Sequence, residues 1–211
     1  MIGRIVTTAA LAGLCCVTWV MPTGAATERP ASRATVIEQV SPVGAGGYVA
    51  SGYHVVRTLG GATCRSHSPT TGNAYSCHVR FGYDPCWVTA THPYVVCLSA
   101  PYDKSLTRLR VARWVNAGGL GKPAGLPWGL LLANGHRTTL IPGNFGTVNG
   151  QNIHYSYDDF RTVLVGPIDK SGEAWRIRVA KNDGRFRFKL TGWATITKAW
   201  VGAPTTLAGR P

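Results

Sequence analysis

The stretch PYDKSLTRLRVAR, residues 101–113, recurs in nearly the same form as PIDKSGEAWRIRVAK, residues 167–181. Both contain Pro-x-Asp-Lys-Ser and then Arg-x-Arg-Val-Ala followed by a basic residue, and the second has two more residues between these parts. Proline fixes φ and aspartate accepts a hydrogen bond from the backbone two residues on, so the first part predicts a turn. The second part alternates polar and apolar residues, which predicts a β-strand with its arginines on one face.

The similarity of the two halves extends towards the N-terminal side of each stretch. The matching pieces are Thr63-Cys64 with Tyr75-Ser76-Cys77, and Thr138-Thr139 with Tyr155-Ser156-Tyr157. We therefore expect two related β units, residues 48–125 and 126–202, with the insertion DPCWVTATHPYVVC in the first. Repeated units bury their apolar faces against each other, so the two should pack as one compact domain. The repeat by itself indicates no function.

Short apolar runs of strand length fill the rest of both units, among them YHVV, YVVCL, RTVLVG and RFRFKL. Turn signals such as TTGN, NG, PGN and NDG separate them, which is the pattern of an all-β domain. No run of ten or more residues has helical periodicity. Residues 27–47 are rich in Pro, Ser, Ala and Gly, so we expect a flexible leader there, and residues 203–211 are expected to be a tail.

The N-terminal residues predict export. Arg4 precedes an apolar run from Ile5 to Met21, and small residues up to Ala26 follow, which is the arrangement of a cleaved signal peptide at residues 1–26. The alternative is a transmembrane anchor, because the run approaches the shortest spanning length. No other stretch is apolar enough to cross a membrane, so the mature chain is expected to be secreted.

The charge of the chain predicts an anionic partner. The full sequence has 22 basic and 9 acidic residues, and removal of residues 1–26 takes away only Arg4, which leaves 21 basic residues and a net charge of +12. A field of this sign attracts wall polymers, lipid headgroups, nucleic acid or acidic proteins.

The cysteines predict crosslinks in the first unit. Two of the six precede residue 27, and the remaining four are Cys64, Cys77, Cys86 and Cys97. Four cysteines in an exported chain predict two disulfides, in any of three connectivities. We favour Cys64–Cys77 and Cys86–Cys97, because each pair encloses a hairpin-like segment. A metal site is the alternative, but no CxxC spacing supports it, so neither a metal nor another cofactor is expected.

The stretches YSCHVRFGYDPCW, LPWGLLLANGHRT, NIHYSY and AWRIRV resemble a group of uncharacterised exported proteins of actinobacteria. The resemblance covers most of residues 60–200 and implies export and fold, with no activity or catalytic residues. Members of that group have cysteines where this chain has Thr138 and Tyr157. The resemblance therefore implies that the second unit has lost a disulfide equivalent to Cys64–Cys77.

A basic hairpin in the second unit is the candidate binding site. Asn182-Asp183-Gly184 predicts a two-residue turn within residues 175–190. Alternation then places the apolar side chains, including Trp175, Ile177, Val179, Phe186, Phe188 and Leu190, on one face. The opposite face would carry Arg176, Arg178, Arg185, Arg187 and Lys189, and the matching strand of the first unit would add Arg108 and Arg110.

Five like charges on one face repel one another, so this face predicts an anion-binding site for a wall polymer or an anionic lipid surface. The alternative is a solvated outer face with no ligand. Base recognition of nucleic acid is not indicated, because the aromatic residues of the hairpin are expected on the other face from the arginines.

Two other functions stay open at this stage. The first is a protein-interaction or inhibitor module that presents the Cys86–Cys97 loop, with Trp87, Thr89, His92 and Tyr94. Trp87 is expected to pack on the disulfide, and four other tryptophans are expected in the core, namely Trp114, Trp128, Trp193 and Trp200.

The second is a secreted hydrolase whose site carries no recognised motif. It would be assembled from His78 or His154, Asp158 or Asp159, and a serine, or from a carboxylate pair that includes Asp84. Nothing in the spacing supports this, so no catalytic residue is assigned. A concave pocket with convergent polar groups would favour an enzyme, whereas a flat basic or aromatic face would favour a binding protein.

Overall fold

The computed structural model describes residues 33–66, 68–72, 74–115, 125–141, 145–157, 159–184 and 187–203. The expected signal peptide, Asp158, Arg185 and Phe186 lie outside these residues, as does all of the expected tail except Ala203. The described part of the chain is all-β, as predicted, and contains no helix that could cross a membrane. Its strands are β1 (Val36–Val40), β2 (His54–Ser66), β3 (Tyr75–His78), β4 (Gly82–Val88), β5 (Tyr94–Leu98), β6 (Ser105–Val115), β7 (Gly129–Leu132), β8 (Arg137–Leu140), β9 (Thr147–Val148), β10 (Gln151–Ser156), β11 (Thr162–Asp169), β12 (Trp175–Asn182) and β13 (Phe188–Gly202).

Strands β2 to β6 form a closed barrel, which we call the first barrel. Neighbouring strands are antiparallel except β2 and β6, whose parallel pairing closes the barrel. Its buried interior is built around two disulfides, Cys64–Cys77 between β2 and β3 and Cys86–Cys97 between β4 and β5. The favoured connectivity is therefore confirmed, and each bond joins residues directly opposite each other, with Cα atoms 4.0 and 4.1 Å apart.

The second unit contains a ring of six strands in the order β7-β8-β10-β11-β12-β13, which we call the second ring. An antiparallel pairing of β13 with β7 joins its two ends. All six strands contribute to one buried cluster, whose largest members include Leu130, Leu132, Tyr155, Leu164, Ile177 and Ile196. The Tyr155 hydroxyl donates to the carbonyl of Pro127 at 2.7 Å, so its polar atom is satisfied inside this core.

A third buried cluster joins the two units. Trp87 of the first barrel and Trp128, just before β7, have ring centroids 5.3 Å apart, and both are fully buried. Leu98 and Leu106 of the first barrel and Trp200 of β13 belong to the same cluster. The expectation that the units bury each other's apolar faces is thus confirmed. Trp87 packs on Trp128 in this cluster, not on the disulfide as we expected.

Strand β1 corrects the expectation of a flexible leader at residues 27–47 for its described part, since residues 27–32 lie outside the described residues. Residues Val36–Val40 pair in parallel with Lys198–Gly202 of β13. Strand β12 covers β13 only as far as Ile196, so the same edge of β13 is free beyond that point for β1. Thr35 bridges the junction, because its hydroxyl donates to the Ile196 carbonyl at 2.6 Å and accepts from the Trp175 N–H at 2.8 Å.

The two repeated stretches form the same local structure. The Asp103 carboxylate accepts from the Ser105 N–H at 2.9 Å, and the Asp169 carboxylate accepts from the Ser171 N–H at 3.1 Å. Both turns are therefore confirmed. The basic strands that follow differ in their pairing, since β6 is parallel to β2 whereas β12 is antiparallel to both of its neighbours. The insertion gives the first barrel one more strand between β2, which contains Thr63-Cys64, and the basic strand β6. As a result, β6 is parallel to β2, whereas β12 has the opposite direction relative to β8.

Candidate functional site

The predicted basic face is divided in the structure. The turn between β12 and β13 is longer than two residues, because the Asp183 N–H donates to the Arg187 carbonyl and Lys181 pairs with Lys189. A β-bulge at Thr191 then shifts the register by one residue. The expected two-residue turn and the single face of five cations are therefore wrong. Residues opposite each other share a face, so Lys189 lies with Lys181 on the face opposite Arg176 and Arg178.

Arg176 and Arg178 instead share a face with an exposed tryptophan. Arg178 pairs directly with Trp193, and the two guanidinium carbons lie 5.5 Å (Arg176) and 5.1 Å (Arg178) from the Trp193 ring centroid. These distances are within the range of cation–π contacts. Trp193 is 49% exposed, so its expected place in the core is wrong. We call Arg176, Arg178 and Trp193 the arginine–tryptophan patch.

The charge of this patch is only partly neutralised. Arg176 donates to the Asp169 carboxylate at 2.7 Å. The Ser171 hydroxyl, then the Ser171 N–H, and then Arg176 hold the pKa of Asp169 at about 2, below its ordinary 3.8. Arg178 has no acidic partner among the residues that the structure describes. The patch therefore presents one unpaired guanidinium beside an exposed indole.

The other predicted cations that the structure describes lie elsewhere, and Arg185 lies outside the described residues. Arg108 and Arg110 are exposed on the outer wall of the first barrel, where the Arg108 guanidinium lies 5.2 Å from the Tyr94 ring centroid. Strand β6 pairs with β2 and β5 and not with β12 or β13. Arg187 is exposed at the end of the hairpin turn. Of the six predicted anion-binding residues that the structure describes, two thus lie together around one aromatic ring.

A cavity that the sequence did not reveal opens at one end of the second ring. Its volume is about 480 Å³, and it lies where the β7–β8 turn, the β10–β11 turn and the ends of β12 and β13 meet. Polar side chains from the two turns and from β12 line it, namely Asn134, His136, Tyr157, Asp159 and Lys181. They come from three separate segments, and only the Asn134-Gly135 turn was visible as a sequence signal.

Two aromatic rings stand together in this cavity. The rings of His136 and Tyr157 are stacked, with centroids 4.4 Å apart and an interplanar angle of 29°. The Asn134 amide donates to the Tyr157 hydroxyl at 3.5 Å. The Asp159 carboxylate accepts from the Arg161 N–H at 2.9 Å through one oxygen. These side chains are held by one another and by their own turns.

The hydrolase hypothesis gains no catalytic geometry. Among the described residues, no hydrogen bond joins His78 or His154 to a serine or a carboxylate. Burial lowers the pKa of the half-buried His154. The Ser105 hydroxyl lies 3.2 Å from Nε2 of His54, but both side chains are at the surface, and no carboxylate of the described chain orients the imidazole. A nucleophile and base without an orienting group do not make a catalytic triad.

The other hydrolase candidate, Asp84, is buried in the first barrel. Burial raises its pKa to about 6, although the hydroxyls of Ser68 and Ser76, which donate to its carboxylate, oppose this effect. Ser68 is itself buried and lies 2.7 Å from the Thr70 hydroxyl. These contacts tie residues 68–70 to β4, so we assign Asp84 a structural role.

The Cys86–Cys97 loop does not present an aromatic anchor. Trp87 is fully buried between the two units, and the Thr89 hydroxyl donates to the Tyr94 carbonyl at 3.1 Å. The loop tip is attached to the segment before β2, because the Ala90 N–H donates to the Gly47 carbonyl at 2.8 Å. Of the side chains expected to contact a partner, only His92 at the tip is exposed.

Comparison with protein-family models, with curated proteins and with solved structures finds no match for this chain. The resemblance to exported actinobacterial proteins stays a prediction. The register of β8 and β10 pairs Leu140 with Tyr155 and Thr139 with Ser156, and its extension by one residue places Thr138 opposite Tyr157. These positions are therefore related as Cys64 and Cys77 are in the first barrel.

Proposed function

We propose that this protein is an exported, non-catalytic binding protein that contacts an anionic component of the cell envelope through the arginine–tryptophan patch. The observation that carries the proposal is the pair of guanidinium groups on the exposed Trp193 ring, of which only Arg176 has an acidic partner among the described residues. Guanidinium groups bind carboxylates and phosphates through two parallel hydrogen bonds. The ring limits the motion of both arginines, so less conformational entropy is lost when an anion binds.

Export is supported by two independent features of the chain. The N-terminal apolar run has the order of charged, apolar and small residues that signal peptides share. The two disulfides bury their sulfurs in the first barrel, and such bonds persist in oxidising compartments outside the cytosol. A protein outside the membrane meets anionic wall polymers and lipid headgroups before it meets nucleic acid.

The patch alters one argument about partners. The sequence placed aromatic residues on the face opposite the arginines, which argued against stacking of bases. Trp193 in fact lies beside Arg176 and Arg178. Proteins that bind single-stranded nucleic acids combine aromatic and basic side chains in this way. Single-stranded nucleic acid is therefore an outcome to be tested, and the proposal remains an envelope polymer because export supports it.

The test is co-sedimentation of the mature protein with purified bacterial cell walls across a salt series from about 50 to about 500 mM. We expect binding at low salt that declines steeply as salt rises, and about tenfold weaker binding for Arg178→Gln. Arg113→Gln is the matched control, because Arg113 is exposed on the first barrel and carries the same charge. Equal binding by both variants, or tighter binding of single-stranded DNA than of walls, would contradict the proposal.

A further inference from the structure

We infer that the cavity at the end of the second ring binds a sugar residue, so that the envelope component is an acidic glycan. This inference rests on the proposed function, because the acidic groups of the glycan are assigned to the arginine–tryptophan patch. The two sites are adjacent on β12 and β13: Trp193 is among the residues around the cavity, and its ring lies with Arg176 and Arg178 on the face of the sheet opposite Lys181. A polymer with a sugar in the cavity would pass over the open end of the second ring to place its acidic groups beside Arg178.

The size and shape of the cavity suit one or two sugar rings. Its volume of about 480 Å³ lies within the range of small-molecule sites. Leu132, Val179 and Ala194 supply apolar surface, and the polar side chains come from the surrounding turns. A sugar has the same division, with apolar C–H faces and a rim of hydroxyls.

The polar groups favour hydroxyls over other ligand chemistries. Asp159 can only accept hydrogen bonds, Lys181 can only donate them, and the Asn134 amide does both. A hydroxyl donates and accepts, so a polyhydroxylated ring satisfies all three. A phosphate accepts only, and the Asp159 carboxylate would repel it. A purely apolar ligand would displace water from these groups and offer no hydrogen bond in its place.

The stacked rings of His136 and Tyr157 form a preorganised aromatic surface at the cavity. Their mutual contact at 4.4 Å and the bond from the Asn134 amide to the Tyr157 hydroxyl restrict their rotation before any ligand binds. The face of an aromatic ring carries partial negative charge and attracts the partially positive C–H groups of a sugar. Preorganisation reduces the entropy lost on binding.

Strain in the β10–β11 turn is a second, independent indication of a binding site. Phe160 has φ of 53°, a left-handed conformation that bulky residues rarely adopt, and its side chain is 55% exposed. Its N–H donates to the Tyr157 carbonyl, and the neighbouring Arg161 N–H donates to the Asp159 carboxylate. The strained turn thus fixes the two cavity residues Tyr157 and Asp159, and stored backbone strain is concentrated at ligand sites.

The test compares acidic glycans with a polyanion that contains no sugar. The probes are polygalacturonate, heparin and glycosylated wall teichoic acid, with poly-L-glutamate as the reference at equal charge concentration. We expect at least one glycan to bind the mature protein about tenfold more tightly than poly-L-glutamate does. If none of the three exceeds poly-L-glutamate, the inference is overturned.

Asp159→Asn separates sugar recognition from simple charge. The substitution removes a negative charge, so electrostatics alone would strengthen the binding of every polyanion. The sugar site predicts the opposite for the preferred glycan, about tenfold weaker binding, because an acceptor for hydroxyls is lost. Asparagine still accepts from the Arg161 N–H, so the turn is kept. Glu173→Gln is the matched control, an exposed acid that does not line the cavity.

The outcomes separate this inference from the proposed function. His136→Ala and Asp159→Asn should weaken binding of the preferred glycan and leave binding of poly-L-glutamate unchanged or stronger. Arg178→Gln should weaken the binding of both polymers. Tighter glycan binding by Asp159→Asn would overturn the sugar site alone. Unchanged binding by Arg178→Gln, together with losses in the cavity variants, would instead overturn the role of the patch.

Discussion

The first barrel and the second ring are built from similar stretches of sequence but are stabilised in different ways. The interior of the first barrel holds two disulfides, and the fully buried Trp87 of β4 joins the two units. The second ring is filled by leucine, isoleucine and tyrosine side chains and holds no disulfide among its described residues. It opens at one end on a polar cavity next to exposed cations. The two disulfides thus stabilise the first barrel, whereas the cavity and the arginine–tryptophan patch, which suit a ligand, belong to the second ring.

The largest change in stability is expected from removing a disulfide of the first barrel. The Cys86–Cys97 bond closes a loop with a sequence separation of 11 residues, and the chain-entropy model assigns such a loop about 3 kcal/mol. Cys86→Ala with Cys97→Ala should therefore lower the free energy of unfolding by about that amount in denaturant titrations. Mass spectrometry of the exported protein should show a chain four hydrogens lighter than its reduced form, and free thiols there would contradict the assignment.

The buried carboxyl of the first barrel should make stability depend on pH. Burial raises the pKa of Asp84 from 3.8 to about 6 in the folded chain, so the folded state binds more protons than the unfolded state between these values. The free energy of unfolding should therefore fall as pH rises from 4 to 6, by at most about 3 kcal/mol, and be level above that.

Asp84→Asn should remove this decline and be more stable than the parent protein at pH 8, as measured by denaturant titration at each pH. The lowered pKa of Asp169 acts in the other direction only below about pH 4, whereas the lowered pKa of His154 opposes the decline below its ordinary value of 6.5. The contribution of Asp84 is therefore the difference between the parent protein and Asp84→Asn at each pH. A decline that persists in Asp84→Asn would assign the effect to another group.

A smaller, stabilising change in the free energy of unfolding is expected for a substitution in the second ring. Asparagine adopts the left-handed conformation more readily than phenylalanine, so Phe160→Asn should raise the free energy of unfolding by about 1 kcal/mol. Phe145→Asn is the matched control, because both substitutions remove the contact between these rings, with centroids 6.1 Å apart, and only one relieves the backbone. If both variants are destabilised equally in thermal unfolding, the turn stores no strain.

The sequence predicted features that depend on local chemistry. The strand pattern, the two turns at Asp103 and Asp169, and the cysteine pairing are set by residues close together in the chain. Strand β1 was missed because its partner is the far end of β13, and the surrounding Pro, Ser, Ala and Gly indicated a loop.

The error in the basic hairpin has a tertiary cause. Alternation alone places Phe188 and Leu190 with Ile177, whereas the structure packs them with Ala180, Val163 and Val165 on the outer face of the second ring. The long turn and the bulge at Thr191 make this packing possible, and neither leaves a mark in the local pattern. The cavity could not be predicted, because its residues converge only when the ring closes.

The most direct test compares two pairs of arginines with equal charge. Arg176→Gln with Arg178→Gln alters the second ring, and Arg108→Gln with Arg110→Gln alters the first barrel, and affinity for purified cell walls at low salt is measured for both. The account predicts a loss of about tenfold or more for the pair in the second ring and little change for the pair in the first barrel. Equal losses for both pairs would show that binding follows net charge alone and would contradict a site at Trp193.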